Sequence, residues 1–135
     1  MELKIVTGTD LVEIGRIAKS MENPRFLERV YSAEELALLR ERAKADTPLH
    51  LSPSAVNTAA ANFCAKEAFA KALGTGVRGF SLSEVSVLRD ELGKPYLSLT
   101  GNAQKLAHEQ GLTLSVSLSH AKEYATAVVV GLTQK

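Results

Sequence analysis

Residues 62–76 read Asn-Phe-Cys-Ala-Lys-Glu-Ala-Phe-Ala-Lys-Ala-Leu-Gly-Thr-Gly, and this stretch decides the fold. Alanine is the strongest helix former, and a glycine in the left-handed conformation ends many helices. The stretch therefore predicts the last turns of a long helix that stops at Gly74. Its apolar side chains point in several directions around the axis, which predicts a helix largely surrounded by protein.

Three charged residues of this helix, Lys66, Glu67 and Lys71, fall within one arc of about 140° around the axis. One interpretation is a solvated stripe, in which Glu67 and Lys71 form an ordinary i,i+4 pair. The other is a carboxylate and two ammonium groups at the edge of a core, an arrangement that suits a metal ion and a phosphate. The helix alone favours the stripe, and both interpretations stay open at this point.

The N-terminal part of the chain predicts a strand followed by helices. Leu3 to Val6 is a short apolar run that ends in a Thr7-Gly8-Thr9 turn. Asp10, with Glu13 three residues later, has capping-box spacing and predicts a helix through about Ser20. Two further helix starts follow, at Asn23-Pro24 and at Ser32 with Glu35, the second helix running to about Ala45.

The C-terminal part changes to the alternating pattern of strands. Residues 46–57 contain two prolines and predict a mobile loop, although the central helix has a possible start as early as Ser52-Pro53. Residues 85–99 predict a hairpin, residues 101–110 a short helix, and residues 114–132 two more strands. Helices followed by hairpin-connected strands predict one α+β domain over residues 1–135, with the central helix packed against an antiparallel sheet.

Composition limits the function classes. The chain has 135 residues, 45% hydrophobic and 23% charged, with a net charge of +1. A nucleic-acid binder is disfavoured because aromatic residues make up only 5% and no global positive field exists. No run approaches the length of a membrane span, and no signal-peptide core is visible, so the cytoplasm is the expected location.

Several residues have both an ordinary and a chemical interpretation. Asp10 is explained by a helix N-cap, and His120 by a strand end that continues the face of Leu114, Val116 and Leu118. Cys64 is expected to be a buried, inert thiol. The sequence contains no histidine or cysteine pair that indicates zinc, whereas two carboxylates and water suit magnesium.

Taken together, these motifs resemble a known family. The segments are Gly8-Thr-Asp-Leu-Val-Glu-Ile14, Phe26 with Arg29, Phe63 to Gly76, Gly93-Lys-Pro95 and Ser117-Leu-Ser-His120. In this order they closely resemble the holo-[acyl-carrier-protein] synthases of the 4'-phosphopantetheinyl transferase superfamily. The resemblance implies that superfamily's fold and covers the chain from Val6 to Val130.

The resemblance also implies a reaction. The 4'-phosphopantetheine arm of coenzyme A would be transferred to a serine of apo-acyl carrier protein, releasing adenosine 3',5'-bisphosphate in support of fatty acid biosynthesis. Family members are typically homotrimers with active sites between neighbouring subunits. Phosphoryl transfer depends mainly on positioning and on neutralising charge, which fits the residue types present.

Roles carry over from the family only at matching positions. Asp10 and Glu67 match magnesium ligands, and Glu67, Lys71 and His120 match catalytic positions. The base that takes the serine proton is either Glu67 or a water on the metal. The matching coenzyme A contacts are Lys66, Lys71, Gly74, Gly76, Ser119 and His120. The matching carrier-docking residues are Arg16, Arg25 and Arg29.

The chain departs from the family at one position that matters. Asn62 stands where the family often has arginine, which removes a fixed charge expected near the nucleotide phosphates. Another basic residue is then needed to substitute for it. Residues 47–56 match no family pattern.

One rival hypothesis from another class remains. A non-enzymatic module would hold an acidic protein on the basic face between Arg16 and Arg40 by electrostatic attraction. It predicts no dependence on magnesium and no loss when His120 or Lys71 is changed.

Overall fold

The computed structural model describes residues 2–134, which form five α-helices and five strands. The helices are α1 (Ile14–Ser20), α2 (Pro24–Val30), α3 (Ala33–Arg42), α4 (Pro53–Leu73) and α5 (Gly101–Glu109). The strands are β1 (Leu3–Glu13), β2 (Val85–Arg89), β3 (Pro95–Leu99), β4 (Leu112–His120) and β5 (Tyr124–Gln134). None of the described helices is long and apolar enough to cross a membrane.

The predicted α+β class is confirmed, with two antiparallel sheets. The main sheet has the strand order β1-β5-β4, and the hairpin β2-β3 forms a second sheet. Helix α4 packs chiefly on β1 and β5. The small side chains Ala125, Ala127 and Val129 of β5 face α4 and are almost fully buried, which lets helix and sheet approach closely.

Helix α4 is the centre of the fold, as the sequence predicts. Fifteen of its 21 residues are buried. Ser52 caps its start by accepting a hydrogen bond from the Ala55 N–H, and Gly74 ends it in the left-handed conformation with φ 86°. Cys64 is buried within this helix, and its Sγ donates to the Ala125 carbonyl over 3.3 Å.

The prediction for residues 7–13 was wrong. Instead of a turn and a helix cap, these residues continue β1, and Asp10 lies opposite Ala127 of β5. Helix α1 begins later, after Glu13, which makes no side-chain capping hydrogen bond. The reason is the long pairing with β5, which supplies backbone partners along the whole of β1 and outweighs the local capping signal.

The predicted mobile loop is shorter than expected. Residues Leu49–Leu51 form a 3-10 turn, and α4 begins at Pro53. The capping box of Ser32 and Glu35 is confirmed, with both reciprocal hydrogen bonds present, although α3 ends at Arg42 rather than near Ala45.

Candidate active site

Three predicted site residues meet between β1 and α4, and we call them the carboxylate cluster: Asp10, Glu67 and Lys71. Lys71 Nζ donates to the Thr9 carbonyl over 2.8 Å and to Asp10 Oδ1 over 3.2 Å. The Lys71 side chain is 55% exposed and that of Asp10 18% exposed. The cluster is therefore accessible from solvent, on a strand and a helix that fix its backbone.

The two carboxylates of the cluster influence each other. Burial raises the pKa of Glu67, the neighbouring Asp10 raises it further, and Lys71 acts in the opposite direction. Like charges close together favour either a proton or a cation between them. The cluster thus combines a carboxylate with raised proton affinity and an ammonium group.

The donor set of the cluster fits magnesium. Within residues 2–134, no group of three or more His, Cys, Asp or Glu side chains stands ready to hold a metal ion. Magnesium, however, is commonly bound through only one or two carboxylates and completes its shell with water and substrate phosphates. Asp10 and Glu67 supply those two carboxylates.

A second feature is a cavity of about 480 Å³ lined by basic side chains. We call it the cationic cavity, and its charged or titratable lining residues are Arg42, Arg89, Lys94 and His120. No acidic side chain within the described part of the chain lines it. Ser119 and Gly93 also contribute to its wall. The cavity is suited to an anion.

The two features lie at different positions along α4. Asn57, Thr58 and Ala61 line the cationic cavity, whereas Glu67 and Lys71 belong to the carboxylate cluster. Glu67 follows these lining residues by six to ten positions, about 9–15 Å along the helix axis. None of the three cluster residues lines the cavity that contains His120.

Lys66 does not join either feature. Its side chain is 0% exposed, and Nζ donates to Glu35 Oε1 over 2.5 Å, to the Leu82 carbonyl over 3.0 Å and to the Val85 carbonyl. All three ammonium protons are thus engaged. The prediction that Lys66 contacts coenzyme A is not supported. The side of α4 that carries Lys66 faces α3 and β2 instead of solvent.

The other predicted residues lie at the surface. Gly74 and Gly76 follow the C-terminal end of α4, both with positive φ. Arg16, Arg25 and Arg29 are exposed on α1 and α2. Arg16 also lines a groove of about 390 Å³ whose apolar wall includes Phe26, Phe63 and Tyr124.

Sequence reasoning found His120 of the cationic cavity but gave no role to Arg42, Arg89 and Lys94. Arg89 and Lys94 flank the predicted hairpin turn beside the Gly93-Lys94-Pro95 motif, so their spacing offered a signal. Arg42 offered none, because only the tertiary fold brings the end of α3 to this hairpin. Asn62, where the family often has arginine, accepts a hydrogen bond from Arg89 Nη2 over 2.9 Å.

Known proteins are similar over nearly the whole chain. The family model of the 4'-phosphopantetheinyl transferase superfamily matches residues 7–129. The holo-[acyl-carrier-protein] synthase of Lachnoclostridium phytofermentans is 41% identical over 125 residues, covering 92% of each chain. That of Caldanaerobacter subterraneus subsp. tengcongensis is 39% identical over 132 residues, covering 96% of each chain.

Solved structures agree with this relationship. The coenzyme A complex of the synthase from Chronobacterium ammoniagenes has a TM-score of 0.80 at 30% identity, covering 98% of this chain and 99% of that one. A Bacillus anthracis synthase, described as a complex with CoA (3',5'-ADP), has a TM-score of 0.77 at 28% identity, covering 98% of this chain and 100% of that one. The chain therefore belongs to the holo-[acyl-carrier-protein] synthases, a family of phosphopantetheinyl transferases.

Proposed function

We propose that this chain transfers the 4'-phosphopantetheine arm of coenzyme A to a serine of an apo-acyl carrier protein, in a magnesium-dependent reaction. The observation that carries the proposal is the carboxylate cluster, in which Asp10 and Glu67 face each other beside Lys71. The serine oxygen would form a bond to the phosphorus next to the pantetheine arm. The bond from that phosphorus to the bridging oxygen would break, and adenosine 3',5'-bisphosphate would leave.

Each residue of the cluster has a task in this reaction. Glu67, or a water on the metal, would accept the serine proton. Lys71 lies beside Asp10 and would offset the negative charge that develops on the leaving phosphate. Magnesium bound by Asp10 and Glu67 would neutralise charge on the phosphate oxygens.

The partners of the reaction are assigned to two further surfaces. The cationic cavity, with Ser119 and His120 in its wall, is proposed to take the nucleotide end of coenzyme A. The exposed Arg16, Arg25 and Arg29 are proposed to dock the acidic carrier protein of fatty acid biosynthesis. The apolar groove beside Arg16 would accept its apolar side chains. We expect this reaction in the cytoplasm.

We further propose that the chain acts as a homotrimer with its sites between neighbouring copies. Coenzyme A carries its 3'-phosphate and its pyrophosphate on the same ribose, whereas in one chain no residue of the carboxylate cluster lines the cationic cavity. A neighbouring copy would bring one chain's cavity to the other's cluster. The outer face of the main sheet supports association, since Val128, Val130 and Leu132 are 40–41% exposed there.

The activity is tested by the mass of apo-acyl carrier protein after incubation with coenzyme A. We expect the carrier to gain the mass of the arm only when magnesium is present. Glu67→Gln should abolish the gain while circular dichroism shows a folded protein, and Glu109→Gln on exposed α5 should leave it unchanged. Full turnover by Glu67→Gln, or transfer that ignores magnesium, would contradict the proposed site.

The assembly is tested by light scattering. We expect a mass of three chains, and a smaller mass for Val130→Lys, which places a charge on the outer face of the main sheet. Leu92→Lys is the matched control, because Leu92 is 95% exposed at the tip of the hairpin. A single-chain mass for the unaltered protein under assay conditions would rule out a site shared between copies.

A further inference from the structure

Arg89 is held in the wall of the cationic cavity with part of its hydrogen-bonding capacity unused. Nη1 donates to the carbonyls of Val87 and Leu88 over 3.2 and 3.4 Å, and Nη2 donates to Asn62 Oδ1 over 2.9 Å. A guanidinium carries five N–H donors. At most three are engaged within residues 2–134, so at least two remain for a ligand in the cavity.

Asn62 fixes the direction of this guanidinium. The side chain of Asn62 is fully buried on α4, and its Nδ2 donates to Glu35 Oε2 over 2.9 Å and to the Val87 carbonyl over 3.0 Å. Both acceptors lie on one side of the amide, so Oδ1 is turned towards Arg89. Glu35 is itself paired with Lys66, so buried hydrogen bonds, and not solvent, set the orientation of the Asn62 amide.

The charges around Arg89 favour an anion. Arg42 from α3 faces it, Lys94 and His120 share the cavity, and Glu35 lies behind it in the core. Burial lowers the pKa of Arg89, Arg42 lowers it further, and Glu35 acts in the opposite direction. Glu35 is already paired with Lys66. No acidic side chain of the described residues lines the cavity, so an anionic ligand would meet only positive or neutral groups there.

We propose that Asn62 is a positioning residue that directs Arg89 to the 3'-phosphate of coenzyme A. This inference rests on the proposed function and assigns the substrate contact of one residue pair within it. The 3'-phosphate is the phosphomonoester of coenzyme A, and a planar guanidinium with two free donors matches two of its oxygens.

The contact is tested by comparing coenzyme A with dephospho-coenzyme A, which lacks the 3'-phosphate. Isothermal titration of the unaltered chain in the presence of magnesium should show tighter binding of coenzyme A. Arg89→Gln should weaken coenzyme A binding by about 10- to 100-fold, the range for hydrogen bonds to a charged group, and leave dephospho-coenzyme A within about twofold. Lys105→Gln, which removes an exposed positive charge on α5, should change neither.

Kinetics separates this contact from a role in the chemical step. The 3'-phosphate does not react, so its contact is equal in ground and transition states, and Arg89→Gln should raise the KM for coenzyme A at nearly unchanged kcat. A fall in kcat with constant KM would overturn the assignment.

The role of Asn62 is tested by a double-mutant cycle. Asn62→Ala should weaken coenzyme A binding, yet cause no further loss when Arg89→Gln is already present, because Asn62 acts through Arg89. Additive losses, or equal losses for both ligands, would show a merely structural role. If Asn62→Ala does not fold, Asn62→Leu, which fills the volume without an acceptor, takes its place in the cycle.

The outcomes separate this inference from the proposed function. A protein that neither binds coenzyme A nor modifies the carrier contradicts the proposed function itself. A protein that transfers the arm normally, but whose Arg89→Gln variant still prefers coenzyme A as strongly, contradicts only the inference. Equal binding of the two ligands by the unaltered protein contradicts it as well.

Discussion

Two lysines of α4, five positions apart, have opposite environments. Lys66 is 0% exposed and paired with the equally buried Glu35, whereas Lys71 is 55% exposed beside Asp10. A buried ion pair that loses one partner leaves an uncompensated charge in the core, while an exposed pair contributes little to stability. Substitution of Lys66 is therefore expected to lower stability, and substitution of Lys71 to lower activity.

We expect Lys66→Met to lower the free energy of unfolding by about 3–5 kcal/mol, because the Glu35 carboxylate is then left without its cation. Lys71→Met should cost less than about 1 kcal/mol and yet reduce turnover strongly. Urea denaturation and the carrier-modification assay measure the two effects on the same preparations. A Lys66→Met protein as stable as the unaltered one would show that the buried pair contributes nothing.

The sequence named the residues of one feature but not the buried network behind the other. Glu67 and Lys71 stand at i,i+4 on a helix and Asp10 belongs to a separate motif, and the family resemblance, not the local pattern, made all three candidates. Lys66 was misassigned because its partner Glu35 lies 31 residues away, and only tertiary packing brings the two together. The link from Asn62 to Arg89 is non-local in the same way.

At the scale of elements, β1 lies against α4 at a point where only glycine fits. A Cβ at Gly8 would stand 1.9 Å from the Ala68 carbonyl oxygen and 2.8 Å from the Ala72 nitrogen. We expect Gly8→Ala to lower the free energy of unfolding by about 3 kcal/mol or more, because α4 and β1 must move apart to make room for the Cβ. Gly15→Ala is the matched control. Nothing lies within 4 Å of a Cβ added at Gly15, and replacing a helical glycine with alanine stabilises a helix by about 0.5–1 kcal/mol. Thermal unfolding compares the two, and a Gly8→Ala protein of normal stability would contradict this packing.

Helix α5 takes its N-terminal cap from outside the helix. Thr100 makes no side-chain cap, and Glu84 instead accepts hydrogen bonds from the N–H groups of Ser81, Asn102 and Ala103. Gly101 permits this approach, since a Cβ there would stand 2.0 Å from Glu84 Oε2. Glu84 therefore joins the start of β2 to the start of α5.

The Glu84 cap predicts a specific pH dependence. The hydrogen bond from Ser81 is the main cause that lowers the pKa of Glu84 below its usual 4.5, so the unfolded chain binds the proton more readily. The stabilisation is complete above pH 4.5 and is lost as the pH falls through the lower folded-state value. Glu84→Ala should cost about 1 kcal/mol at pH 7 and progressively less in acid. Urea titrations measure this, with Glu109→Ala as control, and a pH-independent difference would rule out the charged cap.

Elements were predictable where their signals are local. The Ser32 and Glu35 capping box, the stop at Gly74 and the hairpin of β2 and β3 each depend on residues a few positions apart. The extension of β1 through Asp10 was not predictable, because its partner Ala127 comes from the far end of the chain. Asp10 has capping-box spacing in the sequence, but its pairing with β5 determines the structure it adopts.

At the scale of the whole molecule, the central strand β5 is apolar on both faces. Ala125, Ala127 and Val129 face α4, whereas Val128 and Val130 point to the other side, where one copy of the chain leaves them partly exposed. The sequence predicted the sheet and its cover by α4, because alternation within β4 and the apolar run of β5 reveal buried faces. It does not predict the stoichiometry, since an uncovered apolar face favours association without indicating how many copies take part.

The separation of the two features along α4 predicts that variants of one feature complement variants of the other. In the proposed trimer, Glu67→Gln disables one half of every site, and the double variant Arg89→Gln with His120→Ala disables the other half when coenzyme A is kept below its KM. In hybrid assemblies refolded from an equal mixture, about a quarter of the sites would combine an unaltered cluster with an unaltered cavity. Two inactive proteins should therefore complement each other. A mixture that stays as inactive as its components would place both halves within a single chain.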